Sequence, residues 1–172
     1  EKATGEKFIR MEMGVPGLAP SRIGTEAEIE ALKHGVAQFY PMLEGYPVLS
    51  EEASRFVKNF MDVDIRPEGI IPTVGAMQAS YVAFMALTEC HKGKDTILFI
   101  DPGFPVQKTQ LEVIGKPYQT FDIYEYREEK LEAKLREYLD RGNIAGIVYS
   151  NPNNPSWVCL TDFELQVIGK LA

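Results

Sequence analysis

The sequence predicts an α/β fold with a mainly parallel sheet. Short apolar runs rich in β-branched and aromatic residues alternate with helical segments along most of the chain. Each gap between successive strands holds one helix, which implies right-handed crossovers and parallel neighbours. With 172 residues, 45% of them hydrophobic, the chain has enough apolar material for a buried core.

The first stretch, to about Gly24, carries Gly14, Pro16, Gly17 and Pro20 and reads as an extended arm. Thr25-Glu-Ala-Glu28 forms a capping-box pattern and predicts a helix to about Phe39, closed by Tyr40-Pro41. Residues 41–49 read as a loop. Ser50 is placed to cap a second helix, on which Ala53, Phe56, Val57, Phe60 and Met61 share one face. Gly69–Thr73 reads as a short strand and Gly75–Cys90 as a helix. A buried-type strand follows at Asp95–Asp101, then a helix from Phe104 to Ile114 stopped by Gly115. Pro117–Asp122 is a strand, Arg127–Arg141 a helix, and Ile144–Ser150 a strand. Thr161-Asp-Phe-Glu164 is a second capping box, opening a helix that is still running at Ala172. That ending reads as a cut through a larger domain.

Charge narrows the function. Lys and Arg total 18 against 25 Asp and Glu, a net −7, which argues against nucleic-acid partners. No apolar run reaches the ~18–20 residues of a membrane span, and no secretory leader is evident. Cys90 and Cys159 make no disulfide framework, which favours a reducing, cytoplasmic setting. His34 and His91 lack metal-ligand spacing and read as solvated. The two cysteines read as space-filling, and Arg127–Lys134 as a solvated helix face. Trp157 admits two readings, lining a substrate mouth or packing under its loop.

Ligands of open α/β sheets bind beyond the carboxyl ends of the strands, so the residues after each strand are the candidates. Thr73-Val-Gly75-Ala76-Met77-Gln78 joins a strand end to a helix start, an arrangement that suits an anion or a tight turn alike. Asp101-Pro-Gly-Phe104-Pro105 holds an aromatic ring on a stiff turn, where it can stack on a ligand or seal the core. Ser150-Asn-Pro-Asn-Asn154-Pro155 carries three side-chain amides, suited to turn formation or to bonding a fixed ligand oxygen. Together they suggest a planar anionic ligand, with phosphate at Gly75, a ring against Phe104 and a ring oxygen near Asn154.

These segments, in this order, resemble the class I/II aminotransferases, fold type I enzymes that use pyridoxal 5'-phosphate (PLP). Gly14-Val-Pro16 resembles the family's G-x-P segment, and Tyr40-Pro-Met-Leu-Glu-Gly45-Tyr-Pro47-Val-Leu49 its Y-x-P-x-x-G-x-P-x-L stretch. The Gly75 turn resembles the phosphate cup, the Phe104 turn D-P-x-Y/F-P, and the Asn154 loop N-P-x-N-P-T-G. The departures include Ser156-Trp157 in place of Thr-Gly, Leu49-Ser50 in place of Leu-Arg, and Gly17 where Asp is frequent.

The resemblance implies a three-layer PLP-dependent transferase-like major domain, truncated here. It implies that residues 1–45 form an arm and first helix, and that 46–172 begin the PLP-binding domain. The implied activity moves an amino group between an amino acid and a 2-keto acid. Gly75, Ala76 and Met77 would hold the cofactor phosphate, Phe104 would stack on the ring and Asn154 would bond its oxygen. In a homodimer, Tyr40 would reach the neighbouring subunit's PLP phosphate, and Gly14 would lie near the substrate carboxylate. None of the lysines falls in the family's lysine motif. The Schiff-base lysine, the pyridinium-pairing aspartate and the carboxylate-binding arginine are therefore expected downstream, and the 172 residues alone are expected not to transaminate. Other readings are a PLP lyase of the same fold, a PLP-fold domain fused to a DNA-binding regulator, and a non-catalytic α/β ligand-binding domain.

Overall fold

The run Thr-Ile-Leu-Phe-Ile-Asp forms strand β1 (Thr96–Asp101), which is buried along nearly its whole length and lies at the centre of a three-stranded sheet. Such a continuous apolar run is what a strand covered on both faces requires. The structure, a computed structural model, describes residues 2–9, 14 and 17–172. Strands β2 (Tyr118–Asp122) and β3 (Ile144–Val148) flank β1, both parallel to it, in the order β2-β1-β3.

Alternation along β1 divides the core between two faces. Ile97 and Phe99 pack with Phe84 of α3 (Gly75–Cys90) and Leu111 of α4 (Val106–Ile114). Leu98 and Ile100 pack with Leu131 and Leu135 of α5 (Glu129–Leu139) and Val167 and Ile168 of α6 (Asp162–Leu171). The result is the expected helix–sheet–helix sandwich. Leu98, Leu111, Leu131 and Leu135 are fully buried, each contributing roughly 1.5–3 kcal/mol.

Contacts divide the chain into two compact units, Glu1–Pro72 and Thr73–Ala172. By these contacts residues 46–72 fall in the first unit. The first unit holds α1 (Arg22–Lys33), a 3-10 turn at Val36–Gln38, α2 (Pro47–Met61) and a second 3-10 turn at Pro67–Gly69.

Three local expectations are corrected. Helix α1 is capped by Ser21, which accepts from Gly24 N at 3.4 Å, and the Thr25 hydroxyl instead donates to Ser21 O inside the helix. Helix α2 starts one turn before Ser50, because Pro47 is suited to the first helical position. Gly69–Thr73 is not a strand. Ile70 is extended, but no sheet partner lies beside this segment among the described residues, and Pro72 has no N–H to give a ladder. The second capping box forms as expected, with Thr161 accepting from Glu164 N and Glu164 from Thr161 N.

Candidate functional site

Contacts at its two ends fix the direction of α3. At one end, Gln110 of α4 donates to Met77 O at 2.8 Å and accepts from Ser80 Oγ at 2.8 Å. At the other end, Lys116, just before β2, pairs with Glu89. Helices α3 and α4 therefore run the same way, against β1, and the start of α3 lies at the carboxyl edge of the sheet.

That start is open. No side chain caps the first turn of α3, so the N–H groups of Ala76 and Met77 have no intrahelical acceptor. The Val74 N–H is occupied by Gln78 Oε1 at 2.6 Å, and the Gly75 N–H by Thr73 O at 2.9 Å. Gly75 has φ +74°, a left-handed geometry that a side chain would strain. The space where its Cβ would stand is empty to 4 Å. A dipole end with exposed N–H groups and free approach suits a phosphate.

The β1 end lies alongside. Lys108 pairs with Asp101 Oδ2 at 2.5 Å, holding the first turn of α4 against the strand. Phe104 remains 43% exposed, so it does not seal the core. Beyond β3, the three asparagines divide their work. Asn151 Oδ1 accepts from Leu160 N at 2.9 Å, tying the two ends of the loop. Asn153 Nδ2 donates to Pro102 O at 2.6 Å, tying this loop to the Phe104 turn. Asn154 is held through its backbone, N to Ser150 Oγ at 3.1 Å. Its side-chain amide makes no hydrogen bond among the described residues and is exposed. Two amides maintain the loop and the third is free to meet a ligand.

An uncapped helix start, an exposed ring and an unengaged amide thus share one sheet edge, and this donor set fits the phosphate, ring face and ring oxygen of PLP. Tyr40 and Gly14 belong to the other compact unit and both are exposed. Val15 and Pro16 of the G-x-P segment lie outside the described residues.

Sequence reasoning missed several supports. Glu164 is fully buried and receives four hydrogen bonds. Oε1 accepts from Arg127 Nε at 2.6 Å and Glu128 N at 2.9 Å, and Oε2 accepts from Arg127 Nη2 at 2.8 Å and Thr161 N at 2.9 Å. Burial pushes the carboxyl up, but the Arg127 guanidinium and the two backbone N–H groups outweigh it and hold the group at about 2. Arg127 also donates to Cys159 O at 3.0 Å, anchoring the far end of the Asn154 loop. It precedes α5 and belongs to this pair, not to a solvated helix face. Cys90 and Cys159 are exposed, not space-filling. Trp157 is 86% exposed with φ +64°, which excludes packing under the loop. His34 is exposed, as expected.

The chain is similar to known proteins along nearly its whole length. The chain is 29% identical over 170 residues to an aspartate aminotransferase of Pyrococcus horikoshii, covering 97% of this chain and 42% of that protein. It is 23% identical over 171 residues to an asparagine–oxo-acid transaminase of Streptococcus mutans, covering 99% and 43%. Among solved structures, an alanine aminotransferase from Pyrococcus furiosus superposes with TM-score 0.80 and 26% identity, over 99% of this chain and 44% of that one. An aspartate aminotransferase from Rhizobium meliloti shares the fold at TM-score 0.81 and 18% identity, over 99% and 42%. The chain therefore spans less than half the length of the relatives it matches. The family model for aminotransferase class I and II matches residues 6–172, and the chain belongs to that family, whose cofactor is pyridoxal phosphate.

Proposed function

We propose that the full-length protein is an aminotransferase that moves an amino group between an amino acid and a 2-keto acid, and that this chain supplies the phosphate and ring-oxygen side of its cofactor site. The observation that carries the reading is the unengaged Asn154 amide beside the exposed Phe104 ring, at the edge where α3 starts uncapped. Bound PLP supplies an electron sink that acidifies the substrate Cα proton.

The chain's own residues position and tune. The Ala76 and Met77 N–H groups bind the phosphate without a cationic side chain of α3. Phe104 covers one ring face and keeps water from it. Asn154 donates to the ring oxygen, which favours its ionised form. The Schiff-base lysine and the pyridinium-pairing aspartate come from outside these 172 residues. Tyr40 reaches the cofactor phosphate of the second subunit in a homodimer, and Gly14 lies near the substrate carboxylate. In this reading residues 1–45 belong to the arm and small-domain region, and 46–172 to the large domain. The setting is cytoplasmic.

Relatives carry aspartate, alanine, asparagine and LL-diaminopimelate in their names, so the proposal stops at the class of donor. The test is an assay of the purified full-length protein with PLP, a panel of amino acids, and a 2-keto acid acceptor. Product keto acid that forms only when the acceptor is present supports it. Turnover independent of the acceptor assigns a lyase and overturns it.

A further inference from the structure

Asn153 is not the residue expected to touch the cofactor, yet its amide is the most fully used in the loop. One N–H goes to Pro102 O at 2.6 Å and the other to Ser150 Oγ at 3.2 Å. Oδ1 accepts from Ser156 N at 3.2 Å and Ser156 Oγ at 2.6 Å. Both donors and both lone pairs are satisfied. The orientation is unambiguous, because the flipped amide would set oxygen against the Pro102 carbonyl and NH2 against the Ser156 N–H. Position 156 departs from the family's Thr but keeps the hydroxyl that this clasp uses.

The bond to Pro102 crosses 51 positions of sequence and joins the loop after β3 to the turn after β1. Two residues beyond Pro102 stands Phe104, and next to Asn153 stands Asn154. Ser150 Oγ, bonded to Asn153, also holds the Asn154 backbone N–H at 3.1 Å. One partly buried amide thus fixes the separation between the ring-covering and the oxygen-binding side chains.

We propose that Asn153 is a positioning residue for the cofactor. It clasps the two strand-end loops so that Phe104 and Asn154 present a single preformed wall. This rests on the cofactor reading above.

The test uses full-length protein and the variants N153D, N153A and N154A, with the double variant N153D/N154A. Asn153→Asp is isosteric. It keeps the acceptor to Ser156, removes both donors and turns an oxygen toward the Pro102 carbonyl. Three quantities are read: the PLP dissociation constant, the thermal midpoint, and the pH midpoint of the bound cofactor's visible absorbance. Losing a donor to the ring oxygen disfavours its ionised form, so N154A raises that pH midpoint. N153D is expected to raise it in the same direction and to weaken PLP binding about tenfold, the scale of one well-made hydrogen bond. Because its effect runs through Asn154, the double variant should shift the midpoint no further than N154A alone.

Additive shifts, or an N153D chromophore identical to the parent's, overturn the positioning role. Loss of folding in both Asn153 variants also overturns it, since the residue is then structural. If N154A leaves PLP affinity and spectrum unchanged, the cofactor reading itself fails. If N154A changes them and the Asn153 variants do not, this inference alone fails.

Discussion

Replacing Glu164 by Gln removes the charge from the most completely buried polar side chain of the sheet unit while keeping its shape. In the parent, both oxygens accept, two bonds each, and Arg127 binds in a two-pronged fashion. Gln keeps one acceptor oxygen. Its NH2 must face either Arg127 Nη2 with Thr161 N, or Arg127 Nε with Glu128 N, and all four are donors. Two hydrogen bonds are lost and Arg127, one-third exposed, loses its counter-charge. Breaking a buried pair from one side costs about 3–5 kcal/mol. The depressed carboxyl gives a similar figure: a fall from 4.5 to about 2 corresponds to about 3 kcal/mol of favourable interaction with the ionised form. With a urea slope of about 2 kcal/mol/M, the unfolding midpoint of the sheet unit at pH 7 should fall by about 1.5–2.5 M. The pH dependence follows from the direction of the shift. The folded-state pKa is below the unfolded value, so the stabilisation is complete above about pH 4.5 and is lost as pH falls toward about 2. The gap between parent and E164Q should therefore narrow across that window. Urea titrations of both proteins at pH 7, 4.5 and 3 measure it. A midpoint change under about 0.5 M at pH 7, or a gap that widens on acidification, refutes the assignment of Glu164 as an ionised, fully bonded anchor.

Three further outcomes follow from the site. N154A should change folding stability by less than about 0.5 kcal/mol, since its amide has no partner among the described residues, while weakening PLP binding; chemical denaturation and a PLP titration separate the two effects. F104A should likewise act mainly on cofactor affinity, whereas Phe99→Ala, in the buried core, should cost about 3–5 kcal/mol of stability; parallel melts of the two variants compare them. G75V should weaken PLP binding more than tenfold, because the branched side chain is strained at φ +74° and stands over the open N–H groups, as equilibrium dialysis would read.

Local chemistry was legible in the sequence wherever one segment decides its own structure. The Thr161–Glu164 capping box needs only four residues, and it formed. The apolar run 96–101 announced a doubly covered strand, and the alternation of its side chains sets the two core faces. Where two neighbouring signals compete, the pattern misled. Ser21 and Thr25 are both good caps, and the earlier one starts the helix. Pro47 sits in a loop-like run of Pro and Gly, yet it suits a first helical turn. Gly69–Thr73 has strand-like residues, but a strand is a relation between segments, and no partner lies beside it among the described residues. Long-range pairs carried no local trace. Arg127 and Glu164 stand 37 positions apart, and charge spacing pointed to a solvated face instead. At the candidate site, the motif order identified the three turns, but only the fold shows that Asn151 and Asn153 are engaged while Asn154 is free.

The site proposed above makes this sheet edge one wall of a PLP pocket. A crystal structure of the full-length protein grown with PLP tests it most directly. The phosphate should lie on the Ala76 and Met77 N–H groups, the Phe104 ring over the cofactor ring, and the Asn154 amide on the ring oxygen. A cofactor bound elsewhere, or one reached by Asn151 or Asn153 in place of Asn154, would contradict it.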